Sequence, residues 1–190
     1  MQTAMNLREQ LMPCLRGRVC FIGMGNVNRA DEGFGVRLAE RLRAIGIPNV
    51  MVAGATPERW IGRLADPGFD HVIFLDAVEF GAKPGSARIL GSSEISPLPT
   101  QVSAGKISLG TLSRWVEASG ATKAWLLAVQ PESLKVSENL SSVVQESLER
   151  LSHLLYALMI GHSAEPGLKE RASLRTDGRR AFSSHGHALQ

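Results

Sequence analysis

Short apolar runs alternate along this chain with segments whose apolar residues recur every three or four positions. The runs predict strands, and they are Val19-Cys20-Phe21-Ile22, Val50-Met51-Val52, Val72-Ile73-Phe74-Leu75, Ala87-Arg88-Ile89-Leu90 and Trp125-Leu126-Leu127-Ala128-Val129. Such alternation is typical of an α/β protein with a mostly parallel sheet. The fourth run follows a Pro84-Gly85 turn, so we predict an edge or hairpin strand there.

The helical periodicity falls between and after these runs. Leu38, Leu42 and Ile45 share one face of a predicted helix that ends at Gly46-Ile47-Pro48, and Pro57-Glu58 opens a short helix towards Leu64. Two further helices have apolar stripes, made of Leu109, Leu112, Trp115 and Val116, and of Leu148, Leu151, Leu154, Leu155 and Leu158.

The pattern stops after Ile160, which suggests one folded domain and a tail. A chain of 190 residues is long enough for one domain with a sizeable core. Residues 161–190 are rich in Gly, Ser, Arg and His and poor in large apolar side chains, so we expect a disordered tail. The formal charge of +3 resides mostly in that tail, and it gives no reason to expect nucleic acid as a partner.

The cysteines and the hydropathy argue for a cytoplasmic protein. Cys14 and Cys20 are the only two cysteines, and no secretory leader pattern precedes them. Two thiols give no zinc pattern, and we expect each to be reduced and buried or idle. No apolar run approaches the length of a membrane span, so no membrane partner is expected.

Two acids follow predicted strands that lie side by side. Glu32 lies in the loop that leaves the first strand, and Asp76 comes directly after the third. Ligands of open α/β sheets bind outside the carboxyl ends of the strands, and carboxylates gathered there suit a divalent cation. We therefore predict that Glu32 and Asp76 meet at one edge of the sheet and could share a metal ion.

Simpler interpretations of the same residues stay open. Asp31 or Glu32 could favour the N-terminus of the following helix through its dipole, and Asp76 could cap a loop. Gly23 and Gly25 suggest a dinucleotide-binding loop, but the third glycine of that fingerprint would fall at Asn28.

Four motifs resemble those of the nickel-iron hydrogenase maturation endopeptidases. The family's first motif is G-x-G-N-x-x-x-x-D-[DE]-G-x-G, and the chain matches it at Gly23, Gly25, Asn26, Asp31, Glu32, Gly33 and Gly35. The other three matches are a strand ending in Asp76-Ala77, the segment Gly54-Ala55-Thr56-Pro57-Glu58, and Val129-Gln130-Pro131-Glu132 before the last helix. The resemblance extends from Val19 to about Leu158.

The resemblance implies a fold, an activity and a partner. It implies a three-layer α/β sandwich of the phosphorylase/hydrolase-like kind, with residues 1–160 as the maturation protease-like domain. Members of the family remove a C-terminal extension from the hydrogenase large-subunit precursor after nickel insertion, and they recognise the substrate's own nickel. Carried over, the catalytic and nickel-contacting acids are Glu32 and Asp76, and such carboxylates with an imidazole suit nickel.

The chain departs from the family at the histidine that should complete this site. The family's S-x-H-x-[LIM]-x-L segment reads Ser103-Ala104-Gly105-Lys106-Ile107-Ser108-Leu109 here, so Gly105 replaces the histidine. His71, at the far end of the third strand, and His153, on the last helix, are not expected to substitute for it, and His162, His185 and His187 belong to the tail. Three hypotheses therefore remain: a working metal-dependent endopeptidase, a non-catalytic relative that binds the precursor as a checkpoint or chaperone, and a nucleotide-binding α/β protein.

Overall fold

The sheet has five strands, in a computed structural model that describes residues 6–60, 68–96, 108–118 and 120–163. The strands are β1 (Val19–Met24), β2 (Val50–Gly54), β3 (His71–Ala77), β4 (Ala87–Gly91) and β5 (Lys123–Val129), in the order β2-β1-β3-β5-β4. All neighbouring pairs are parallel except β4 with β5, which is antiparallel. The predicted central, parallel β1, β3 and β5 and the predicted edge strand β4 are confirmed.

The helices cover both faces of this sheet. They are α1 (Leu7–Cys14), α2 (Phe34–Ala44), α3 (Ser92–Ile95), α4 (Leu109–Glu117) and α5 (Ser142–Ser163), with 3-10 turns at Ala30–Gly33 and Pro57–Trp60. The helix predicted to open at Pro57 begins as a 3-10 turn, and its predicted continuation towards Leu64 lies outside the described residues.

Two apolar cores separate the three layers. On one face, α1, α2 and α5 pack on β1 and β3 through a cluster that includes Phe34, Leu38 and Leu151. On the other face, α3 and α4 contribute Ile95 and Leu112 to the second cluster. A strand that is buried on both faces needs apolar residues at every position, which explains the unbroken apolar run of β1.

Helix α1 was not predicted, because Pro13 and several charges interrupt its apolar pattern. The helix begins with a capping box, in which Asn6 Oδ1 accepts from the Glu9 amide at 3.0 Å and Glu9 Oε2 accepts from the Asn6 amide at 3.2 Å. Pro13 comes only in its last turn, and the buried Leu11 and Cys14 anchor the helix to the core.

The last helix passes the predicted domain boundary. Helix α5 ends at Ser163, three residues beyond Ile160, and the rest of the predicted tail, residues 164–190, lies outside the described residues. Both cysteines are free and buried, as predicted. None of the helices in the described part of the chain is long and apolar enough to cross a membrane.

Candidate active site

The sheet fixes one of the two predicted acids. Asp76 is the penultimate residue of β3, which runs to Ala77, two residues beyond the predicted run Val72-Ile73-Phe74-Leu75. The register pairs Gly23 of β1 with Leu75 and Ala128 of β5 with Asp76, which places Asp76 at the carboxyl edge between two parallel neighbours. Its side chain is partly buried, and its Oδ1 accepts from the Ala77 amide at 2.9 Å.

Gly25 lies between this aspartate and the backbone of Glu32. A Cβ placed on Gly25 would lie 1.8 Å from the Glu32 carbonyl oxygen and 3.6 Å from Asp76 Oδ1. These two oxygens are therefore within roughly 5.4 Å of each other, the sum of the two distances. Gly25 also has φ +118°, a conformation that other residues rarely adopt. The first glycine-rich loop thus brings the turn that carries Glu32 close to the end of β3.

An arginine orients the side chain of Glu32. Arg29 Nε lies 3.1 Å from Glu32 Oε2, and the Glu32 side chain is only 16% exposed. The same guanidinium donates through Nη2 to the Leu134 carbonyl at 3.2 Å. The Glu32 carboxylate is therefore held towards a loop that lies a hundred residues further along the chain.

The start of α2 lies unusually close to the ends of two strands. A Cβ on Gly35 would lie 1.9 Å from the Leu75 carbonyl oxygen and 2.5 Å from that of Met24. Only a glycine permits this contact, because both neighbouring atoms are backbone atoms of the sheet. The last glycine of the first motif therefore serves to seat α2 directly against β1 and β3, beside Asp76.

Asp31 has a role that the sequence did not reveal. Its side chain is fully buried, and Oδ2 accepts from the amides of Glu132 and Ser133, each at 2.9 Å. Ser141 donates its amide to Oδ1 at 2.7 Å and its hydroxyl to Oδ2 at 2.9 Å. Asp31 therefore does more than favour the N-terminus of α2, because it joins the Ala30–Gly33 turn to residues 132–141, which we call the clamp loop.

Gln130 holds the other side of the site in a similar way. Its Oε1 accepts from the amides of Phe80 and Ala82, at 2.9 and 3.2 Å, and its carbonyl accepts from Gly85 at 2.9 Å. The nearly buried amide side chain thus ties the segment after Asp76 to the end of β5. The motif around Gln130 indicated that this segment mattered, but it did not indicate which residue would make the contacts.

The two histidines whose side chains the structure describes, His71 and His153, lie away from this site, as predicted. His71 pairs with Val19 and Lys123 at the opposite edge of the sheet, and its Nδ1 accepts from Trp125 Nε1 at 3.0 Å. His153 is exposed on α5. Gly105, His185 and His187 lie outside the described residues. Within residues 6–60, 68–96, 108–118 and 120–163, no group of three or more His, Cys, Asp or Glu side chains could hold a metal ion.

This donor set limits the metal chemistry that the site can support. Two carboxylates are too few to enclose a divalent cation, which takes six or more oxygens in the case of calcium. They suit a metal that brings most of its ligands with it, such as an ion already bound by another protein. The structure therefore defines an α/β fold with Asp76 at the carboxyl edge of the sheet and the turn that carries Glu32 close beside it.

Comparisons with known proteins identify the class. Residues 36–157 match the family model HycI, described as hydrogenase maturation protease. The Escherichia coli hydrogenase 2 maturation protease is 29% identical over 74% of this chain and 90% of its own length. The crystal structure of the [NiFe] hydrogenase maturation protease HycI from Thermococcus kodakarensis superposes with a TM-score of 0.70 at 29% identity, over 80% of this chain and 99% of that one.

The chain belongs to the hydrogenase maturation protease family. HupD of Bradyrhizobium diazoefficiens, a hydrogenase expression/formation protein, is 32% identical over 48% of this chain, and the match spans about half of that relative's length, 47%. The family and the fold that the four motifs implied are thus confirmed. The roles of Glu32 and Asp76 stay predictions.

Proposed function

We propose that this protein is an endopeptidase that removes the C-terminal extension of a nickel-iron hydrogenase large subunit after nickel insertion. The observation that carries the proposal is the meeting of the Glu32 turn and Asp76 around Gly25, at the carboxyl edge of the sheet. Since the chain belongs to the hydrogenase maturation protease family, our proposal puts the nickel of the precursor at that edge.

In this proposal the nickel belongs to the substrate, and the chain contributes Glu32 and Asp76. Peptide hydrolysis adds water to the scissile carbonyl and transfers a proton to the departing amine. A carboxylate within hydrogen-bond reach of the water can accept its proton and pass it on. A nickel ion beside the peptide would polarise the carbonyl or activate the water. The cytoplasm is the compartment that we propose for this reaction, since both cysteines are free thiols.

The test is an assay in which the full chain cleaves a nickel-loaded precursor. Cleavage is monitored as the decrease in mass of the large subunit. Asp76→Asn and Glu32→Gln each remove one negative charge with little change of shape, and each should lower the cleavage rate by at least about 100-fold. Glu40→Gln is the matched control, because Glu40 is exposed on α2 and its loss should leave cleavage unchanged. Wild-type rates in both site variants would refute the proposed site.

Gly105 supports a second candidate, a non-catalytic relative that binds the precursor as a checkpoint. A glycine offers no nitrogen ligand where the family motif has a histidine, and nickel prefers imidazole to water. On this alternative the wild-type chain binds the precursor without cutting it, and Gly105→His raises its affinity for nickel. Efficient cleavage by the wild-type chain, unaffected by Gly105→His, would exclude this candidate and show that the histidine is dispensable.

A further inference from the structure

Asp31 has the features of a residue that organises a neighbouring site. Its carboxylate is fully buried next to Glu32, and it accepts four hydrogen bonds, three from backbone amides and one from the Ser141 hydroxyl. Hydrogen bonds to a charged acceptor are stronger than those to a neutral one. All four donors belong to the clamp loop, which lies about a hundred residues further along the chain. Asp31 therefore holds together two segments that are distant in sequence.

The backbone completes this connection on both sides of Asp31. The Ala30 amide donates to the Ser137 carbonyl at 2.7 Å, and the Asp31 amide donates to the Ser133 carbonyl at 3.1 Å. The Ser137 amide in turn donates to the Asn28 carbonyl at 3.0 Å, and this pairing forms an isolated parallel bridge between Arg29 and Ser137. The clamp loop therefore acts as a short extra strand for the turn that carries Glu32.

The strain in this turn shows why it needs such support. Ala30 has φ +41°, in the left-handed region that costs a residue with a side chain about 1 kcal/mol or more. A turn in this conformation persists only where its surroundings determine it. The hydrogen bonds to the clamp loop on either side of Ala30 are the contacts that do so.

The long helix α5 adds a favourable electrostatic contribution. Ser141 directly precedes α5, whose 22 residues make it the longest helix in the described part of the chain. A carboxylate that accepts from the residue before a helix lies at the positive end of the helix dipole. Asp31 therefore links the position of the Glu32 turn to the start of α5 as well as to the loop.

We propose that Asp31 is a positioning residue, which pins the clamp loop to the Ala30–Gly33 turn and thereby sets where the Glu32 carboxylate meets the precursor's nickel. This inference rests on the proposed function for its consequence in cleavage. Arg29 transmits the same constraint to the side chain, since it bridges Glu32 Oε2 and the Leu134 carbonyl of the clamp loop. Loss of such a supporting contact typically lowers metal affinity or activity by 10- to 100-fold.

Two variants of different severity separate positioning from folding. In Asp31→Asn the side-chain NH2 group would face a backbone N–H donor of the clamp loop. This variant should therefore strongly weaken the contact between the clamp loop and the Ala30–Gly33 turn. Ser141→Ala removes a single hydroxyl donor, and Ser141→Thr should restore it. Ser152→Ala is the matched control, because Ser152 is also fully buried and donates its hydroxyl, to the Glu149 carbonyl at 2.8 Å, further along α5.

The first readout is local and independent of any metal. Hydrogen exchange at the Ala30 and Glu32 amides should become faster in Asp31→Asn and Ser141→Ala, and it should be unchanged in Ser152→Ala. Unchanged exchange in both site variants would overturn the proposal, even if Asp31→Asn lowers the melting temperature. If Asp31→Asn does not fold, Ser141→Ala decides alone.

The second readout is functional. Cleavage of the nickel-loaded precursor should slow roughly 10-fold in Asp31→Asn and by a smaller factor in Ser141→Ala, at temperatures where both variants are folded. Wild-type values in both variants would overturn the positioning role. If the wild-type chain does not cleave the precursor, the proposed function fails, and the exchange rates still decide whether Asp31 fixes the turn.

Discussion

Gly35→Ala tests whether the close contact between α2 and the sheet sets the geometry of the site. The added Cβ would lie 1.9 Å from the Leu75 carbonyl oxygen, whereas ordinary van der Waals contact begins at 3.4 Å. The backbone must therefore move by roughly 1.5 Å, since no flexible side chain can give way. Overpacking of this kind costs about 1–3 kcal/mol of unfolding free energy. Alanine is better than glycine inside a helix by about 1 kcal/mol at most, so the net effect remains destabilising.

The same displacement should affect cleavage more than stability. Asp76 directly follows Leu75, and the Glu32 turn directly precedes α2, so a shift at Gly35 moves the two acids relative to each other. A misplacement of about 1 Å can lower an enzyme's rate about 100-fold. We expect Gly35→Ala to remain folded, with a loss of cleavage of that order.

The assays are chemical denaturation and cleavage of the nickel-loaded precursor. Gly161→Ala is the control, because Gly161 lies in α5 with nothing within 4 Å of an added Cβ. That variant should be as stable as the wild type or slightly more so, with unchanged cleavage. Equal stability and equal cleavage in Gly35→Ala would show that the contact with Leu75 imposes no constraint.

Three further predictions concern other parts of the molecule. Burial lowers the pKa of His71 below 6.5, against an opposing effect of Asp70 and with a smaller contribution from Lys123. The stability that depends on neutral His71 is therefore present above about pH 6.5 and is lost as the pH falls below it. The melting temperature of His71→Gln should accordingly decrease less on acidification than that of the wild type. Burial raises the pKa of Cys14 to about 11 and that of Cys20 to about 12, so a thiol reagent should react with both only after denaturation. Truncation after Ser163 should leave the melting temperature within a few degrees of the wild-type value, and a larger drop would show that the tail packs against the folded domain.

The strands could be predicted from the sequence because burial on both faces leaves an unmistakable composition. The runs of β1, β3 and β5 are apolar at nearly every position, are short, and end at turn residues or acids, which favours strands buried on both faces. Helix α1 was missed for the opposite reason, since only Leu11 and Cys14 are buried and a capping box specifies its start. A helix with so few buried apolar residues has no clear apolar periodicity, so it cannot be predicted from the hydrophobic pattern.

Only part of the candidate site could be predicted from the sequence. Asp76 could be placed because a strand end and its neighbours follow from local pattern. The partners of Asp31 are 101 to 110 residues away, and nothing in the local sequence distinguishes a carboxylate that caps its own helix from one that binds a remote loop. The same holds for Gln130, whose amide partners lie 48 and 50 residues earlier.

The two acids of the site differ in how much sequence change each can survive. Asp76 lies in a strand with hydrogen-bonded neighbours on both sides, and a ladder of that kind depends on the backbone more than on particular side chains. On the positioning role that we propose for Asp31, the place of Glu32 depends on remote contacts instead: the hydrogen bonds of Asp31, the ion pair with Arg29 and the length of the clamp loop. Insertion of a single residue into the clamp loop would thus displace Glu32 and leave Asp76 in place. On the proposed function, a descendant of this chain with such an insertion would lose the contribution of Glu32 to catalysis, while it would keep its sheet and its ability to fold.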